Sequence, residues 1–93
     1  MARYELAPNN LGESFKRYIE QGIPTGSFLR AVLENNLREA FGRADEYNSA
    51  CMREIVAWLW NEAPADCWGS PEKVKNWIAA RQKQLVEERE GRN

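Results

Sequence analysis

The side chains equipped for covalent or redox chemistry are two cysteines, Cys51 and Cys67, in a 93-residue chain that contains no histidine. A thiol beside a helix start can have its pKa lowered, and Cys67 stands three residues ahead of Ser70-Pro71, where a helix should begin. No imidazole is present to take its proton, so nucleophilic catalysis by Cys67 is not expected. The missing histidine also removes most catalytic triads and imidazole metal sites. A structural zinc site takes about four Cys or His ligands, so neither a metal nor a cofactor is expected. The cysteines lack CxxC spacing. Cys51 falls early in a helix and Cys67 beyond its far end, roughly 15–20 Å away at 1.5 Å per residue. That is too far for a disulfide without a sharp return of the chain. Two reduced, partly buried thiols are the expectation. The carboxylate pairs Asp45-Glu46 and Glu87-Glu88 are sequence neighbours, and adjacent residues on a helix do not face each other. An enzyme is therefore not expected.

Binding chemistry is better represented. Four tryptophans are present, and Trp, Tyr and Arg supply a disproportionate share of interface energy. Trp77 lies on an apolar helical stripe and reads as core. Trp58 and Trp60 are two positions apart, about 200° around a helix, so they cannot share a face. One of them must be covered by another element or left in solvent. Trp68 sits between Pro64 and Pro71 and is available either as a plug for the bundle end or as an exposed anchor. Arg30, Arg38, Arg43 and Arg53 are interleaved with Glu34, Glu39, Asp45 and Glu54, either as a mixed-charge solvated face or with Arg43 and Asp45 as part of a polar rim around an aromatic anchor. Glu34 and Arg38 have the i, i+4 spacing of a surface pair. The candidate partner-binding residues are Trp68, Trp60, Arg43 and Arg30. The segment Gly69-Ser70-Pro71-Glu72 could offer backbone donors to an anion, but Pro71 removes one donor and Glu72 repels anions, so it reads as an ordinary helix cap.

The elements that would carry these residues follow from periodicity. Leu11, Phe15, Tyr18 and Ile19 form one amphipathic stripe, with Asn9 or Asn10 as cap and Gly22 as a left-handed stop. Phe28, Leu29, Val32 and Leu33 form a second, capped by Thr25 or Ser27. Asn36 with Glu39 reads as a capping box opening a short helix through Leu37, Ala40 and Phe41. Asp45 caps a helix over residues 46–62, whose core face is Met52, Ile55, Val56 and Leu59. Ser70, Pro71 and Glu72 make the strongest start signal, and Val74, Trp77, Ile78 and Leu85 give the last stripe. No segment alternates long enough for a strand. The expected fold is all-α, a single-domain bundle of four to five short helices spanning residues 1–93, with 1–9 and 88–93 as loose ends. About nineteen large apolar side chains, each worth roughly 1.5–3 kcal/mol when buried, suffice for such a core.

Thirteen Lys and Arg against fourteen Asp and Glu give a net charge of −1. That balance argues against a general nucleic-acid binder, which needs a basic excess to displace counterions. A helix-turn-helix over residues 28–42 would offer only Arg38 and Arg43 to DNA, opposed by Glu39. No window approaches the ~18 apolar residues of a membrane span, and the N-terminal residues lack the apolar stretch of a signal peptide, so no membrane partner is expected.

Three blocks remain: residues 18–33, YIEQGIPTGSFLRAVL; residues 37–45, LREAFGRAD; and NEAP at 61–64 with CWGSPEKV at 67–74. With them the chain resembles a family of small helical proteins encoded by bacteriophages and prophages, across most of residues 18–77. The resemblance implies phage origin and a bacterial host cytoplasm, and it transfers no catalytic or binding residue. It implies a binding function: blocking a bacterial host protein, foremost a component of antiviral defence, in the manner of anti-CRISPR proteins. The alternatives are a homo-oligomeric structural or assembly factor and a nucleic-acid-binding phage regulator.

Overall fold

The computed structural model describes residues 2–91. Among them are six α-helices and no strand: α1 (Gly12–Gln21), α2 (Ser27–Leu33), α3 (Leu37–Arg43), α4 (Glu46–Ala50), α5 (Met52–Glu62) and α6 (Pro71–Gly91). The all-α bundle expected from periodicity is what the chain forms. The expected helix over residues 46–62 is broken at Cys51, whose φ of −114° and ψ of 24° lie outside helical geometry.

Capping chemistry explains most boundaries. Asn36 Oδ1 accepts from the Glu39 amide at 3.2 Å, Asp45 Oδ1 from the Asn48 amide at 2.7 Å, and Ser70 Oγ from the Lys73 amide at 3.1 Å. Each satisfies an amide that the helix itself cannot. Gly22 ends α1 in the left-handed conformation, φ +68°. Two expected caps are absent. Asn9 and Asn10 themselves adopt positive φ one turn upstream, so Leu11 is the N-cap of α1 and no side chain caps it. Gly26 is the N-cap of α2, with Ser27 already inside the helix. Glu39 does not complete the capping box, because its carboxylate holds Arg43 Nε at 3.0 Å.

The core is built from Phe15, Tyr18 and Ile19 of α1, Leu29, Val32 and Leu33 of α2, and Met52, Ile55 and Leu59 of α5, with Ala40, Trp58 and Val74. Tyr18 is fully buried, and its hydroxyl donates to the Cys67 carbonyl at 2.6 Å, which meets the cost of burying a polar group.

Both chain ends, expected as loose segments, carry local structure. Tyr4–Leu6 and Pro8–Asn10 are 3-10 turns. Arg3 is tied to Glu62 by its amide at 2.8 Å and its guanidinium at 3.2 Å. The charged tail after Glu87, expected to be loose, is helical as far as Gly91. Met1, Arg92 and Asn93, which were part of those ends, lie outside the described residues. Leu85, placed on the α6 core stripe by spacing, is exposed. Gly22 ends α1, whose apposition with α6 is the main helix contact of α6 among the described residues, and Leu85 lies beyond that end.

Candidate functional site

The site grows out of α5. Its core stripe, Met52, Ile55 and Leu59, fixes the rotation of the helix, and the two tryptophans therefore point to different surroundings. Trp58 is 4% exposed. Its ring stacks on Phe15 with centroids 4.6 Å apart and 11° between planes, Tyr4 packs at 5.8 Å, and its Nε1 donates to the Arg3 carbonyl at 3.0 Å. The N-terminal turns are thus the element that covers Trp58. No comparable element covers Trp60, which is 79% exposed.

After Pro64 the chain makes a 3-10 turn over Ala65–Cys67 that buries Cys67, and Trp68 follows in extended conformation. Gly69 then takes φ +119°, and its amide donates to the Leu33 carbonyl at 2.7 Å. That bond pins the loop to the end of α2 and holds Trp68, half-buried, between α2, α3 and α5. One side of the indole helps close a small notch of about 70 Å³ with Val32, Leu37, Ala40 and Met52. The other side lines a broad open groove of about 590 Å³ with Val56, Trp60, Ala63, Ala65 and Lys73. Asn35, Val56 and Trp68 belong to both, and Val56 and Trp68 carry the apolar surface from Leu37 to Trp60.

The structure therefore brings Trp60 and Trp68 together on one groove. It does not bring Arg30 and Arg43 there. Arg30 Nε pairs with Glu34 Oε2 at 3.0 Å and Arg43 Nε with Glu39 Oε2 at 3.0 Å, each within its own helix. Neither arginine lines the groove. Glu34, read as the partner of Arg38, is engaged by Arg30 instead. Asp45 caps α4 rather than forming a rim with Arg43.

Residues that the sequence did not single out as binding residues include Val56, Leu37 and Lys73. Val56 was assigned to the core face of its helix, and Leu37 was read only as part of the apolar start of α3. Val56 is 39% exposed and Leu37 69%. The available signal was Val56 lying i, i+4 from Trp60, which puts the two on one face.

Trp77 is half-buried as a structural residue. Its Nε1 lies 3.3 and 3.2 Å from the Tyr18 and Ile19 carbonyls at the end of α1, and the Arg81 guanidinium stacks 4.5 Å above the ring. Both cysteines are free thiols. Burial pushes Cys67 up to about 12, the opposite of what an activated nucleophile requires. Cys51 is also raised, again by desolvation, and accepts from Asn9 Nδ2 at 2.9 Å. Ser70 acts as a plain N-cap. No helix among the described residues is long and apolar enough to cross a membrane, and none of their His, Cys, Asp and Glu side chains form a group of three that could hold a metal.

No family model, no curated protein and no solved structure matches the chain.

Proposed function

We propose that this is a phage-encoded protein that works in the cytoplasm of a bacterial host, where it binds a component of an antiviral defence system and blocks it by steric occlusion. The binding surface is the groove between Trp60 and Trp68. The observation that carries this reading is the exposure of Trp60, 79% in solvent, beside a half-buried second tryptophan on a continuous apolar strip. Exposed indoles in such a setting resemble the anchors that dominate protein interfaces, and leaving one in water without a partner has no structural return. Trp60 lies outside the core, so its exposed indole fits binding rather than folding. Arg30 and Arg43, committed to intrahelical pairs, are peripheral to this surface.

The test is phage plating on bacteria that carry an active defence system and express this protein. Restored plating with the wild type, and its loss with Trp60→Ala at equal expression and unchanged circular dichroism, is the expected result. Full activity of Trp60→Ala removes the residue assignment, and failure of the wild type to restore plating against any defence system tested overturns the function.

A second reading, homo-oligomeric assembly, draws on Leu85 and Val86, which are exposed on the distal half of α6. A monomeric mass by light scattering at working concentration removes it.

A further inference from the structure

The groove that carries the proposed function also has a charge character that specifies its partner. The concavity around Trp60 and Trp68 is lined by apolar side chains, Asn35, Gly69 and a single charged residue, Lys73. The adjoining notch contains no charged residue. Three other concavities on the surface each include two carboxylates: Glu5 and Glu13 beside Lys16, Asp45 and Glu46, and Glu54 and Glu62 beside Arg3.

Helix α5 accounts for this asymmetry. Glu54 and Glu62 lie on its Trp58 side with Arg3, whereas Arg53 stands at i, i+3 from Val56 and i, i+7 from Trp60, on the groove side. Arg3, Arg17, Arg30 and Arg43 are each paired with a carboxylate, while Arg53 and Lys73, like most other cations among the described residues, have no ion-pair partner. Lys73 Nζ reaches only the Ala65 carbonyl, at 3.4 Å. The acidic residues nearest in sequence, Asp66 and Glu72, do not line the groove, and neither does Arg53, which flanks Val56 one turn away on the same face of α5. A chain with net charge −1 thus has no carboxylate lining this apolar groove, one cation, Lys73, on its wall, and a second, Arg53, a turn beyond it on the Val56 face of α5.

We propose that the groove binds a short acidic segment of a partner protein, one or two large apolar anchors flanked by Asp or Glu. The anchors seat against Trp60, Trp68 and Val56, and the carboxylates meet Lys73 and Arg53. This deepens the reading of the groove as a protein-binding surface and rests on it. Two cations are too few for a nucleic-acid backbone, whose binding requires many phosphate contacts. Two cations at the rim of an apolar strip do suffice to select partners by charge, since like-charged juxtapositions are penalised.

The experiment is selection of random peptides, about 15 residues long, displayed against the purified full-length protein. Titration of the enriched peptides by fluorescence anisotropy follows. Peptides combining Leu, Phe or Trp with several Asp or Glu are expected, with at least about tenfold weaker binding to Trp60→Ala. The Arg53→Glu/Lys73→Glu double variant is expected to reverse the preference toward Lys-bearing versions of the same peptides. These are surface positions, so circular dichroism of the variants should match the wild type. Enrichment without acidic bias, binding indifferent to the charge reversal, or no enrichment at all overturns the proposal. The chain's own Leu85-Val86-Glu87-Glu88 has the same chemistry. A dimer that becomes monomeric on Trp60→Ala would show that a second copy fills the groove, and also overturns it. Plating remains an independent readout: loss of plating with Trp60→Ala and no acidic peptide leaves the proposed function standing and removes only this specificity.

Discussion

Two tryptophans two positions apart on α5 have opposite roles, and the difference is measurable. Trp58 stacks on Phe15 and hydrogen-bonds Arg3, whereas Trp60 stands in solvent. Trp58→Ala should cost about 3–5 kcal/mol in chemical denaturation, the range for emptying a buried aromatic site. Trp60→Ala should stay within about 0.5 kcal/mol of wild type. Equal effects at the two positions would contradict the burial pattern. The buried ionisable groups predict a pH dependence of definite sign. Burial holds Cys67 and Tyr4 up at about 12 and raises Tyr18 as well. Their folded-state pKa values lie above the unfolded ones, so the neutral forms bind protons that the unfolded chain releases first. The stability they contribute is complete below about pH 9 and is lost as pH rises toward 12. Urea midpoints should be level between about pH 7 and 9 and fall steeply above about pH 10. A midpoint that holds through about pH 11 would show these groups to be more hydrated than they stand here.

At the scale of elements, the turn at Gly22 determines how α1 and α6 meet. A Cβ at this position would lie 2.8 Å from the Arg81 Cβ and 3.0 Å from the Ile78 carbonyl, and the backbone is left-handed besides. Gly22→Ala must carry the strain of positive φ, about 1–2 kcal/mol, and also push α6 away. Its total cost should be about 2–3 kcal/mol by urea denaturation. A wild-type midpoint would mean that α6 is not seated on this turn. The same position shows what was legible in the sequence. Gly22 as a stop, Asn36 and Asp45 as caps, and Ser70-Pro71 as a start are signals contained within four or five residues, and they could be read directly. The break at Cys51 had no such signal: no proline or glycine marks it, and Asp45 caps a segment with no further stop before Pro64. Leu85 was misplaced for a related reason. Its spacing continues the α6 stripe, but α1 ends at Gly22 and offers nothing to pack against it.

At the scale of the whole molecule, the N-terminal turns close the bundle from a distance of more than fifty residues in sequence. Arg3 grips Glu62 and supplies the carbonyl for Trp58, while Tyr4 packs on the Trp58 ring. Deleting residues 2–6 should lower the thermal midpoint and shift tryptophan emission to longer wavelength as Trp58 meets water. Unchanged emission would place the indole cover elsewhere. The sequence by itself determined an all-α bundle, its main helix boundaries, the bulk of its core, and the rule that Trp58 and Trp60 cannot share a face. All of these rest on interactions within a few turns of chain, where 3.6-residue periodicity and capping chemistry act. Only the tertiary structure decided which tryptophan is covered, that Trp60 and Trp68 share one groove, and that Arg30 and Arg43 stand away from it. Those outcomes depend on which remote segment reaches a given face, and spacing along one helix carries no information about a neighbour contributed from elsewhere in the chain.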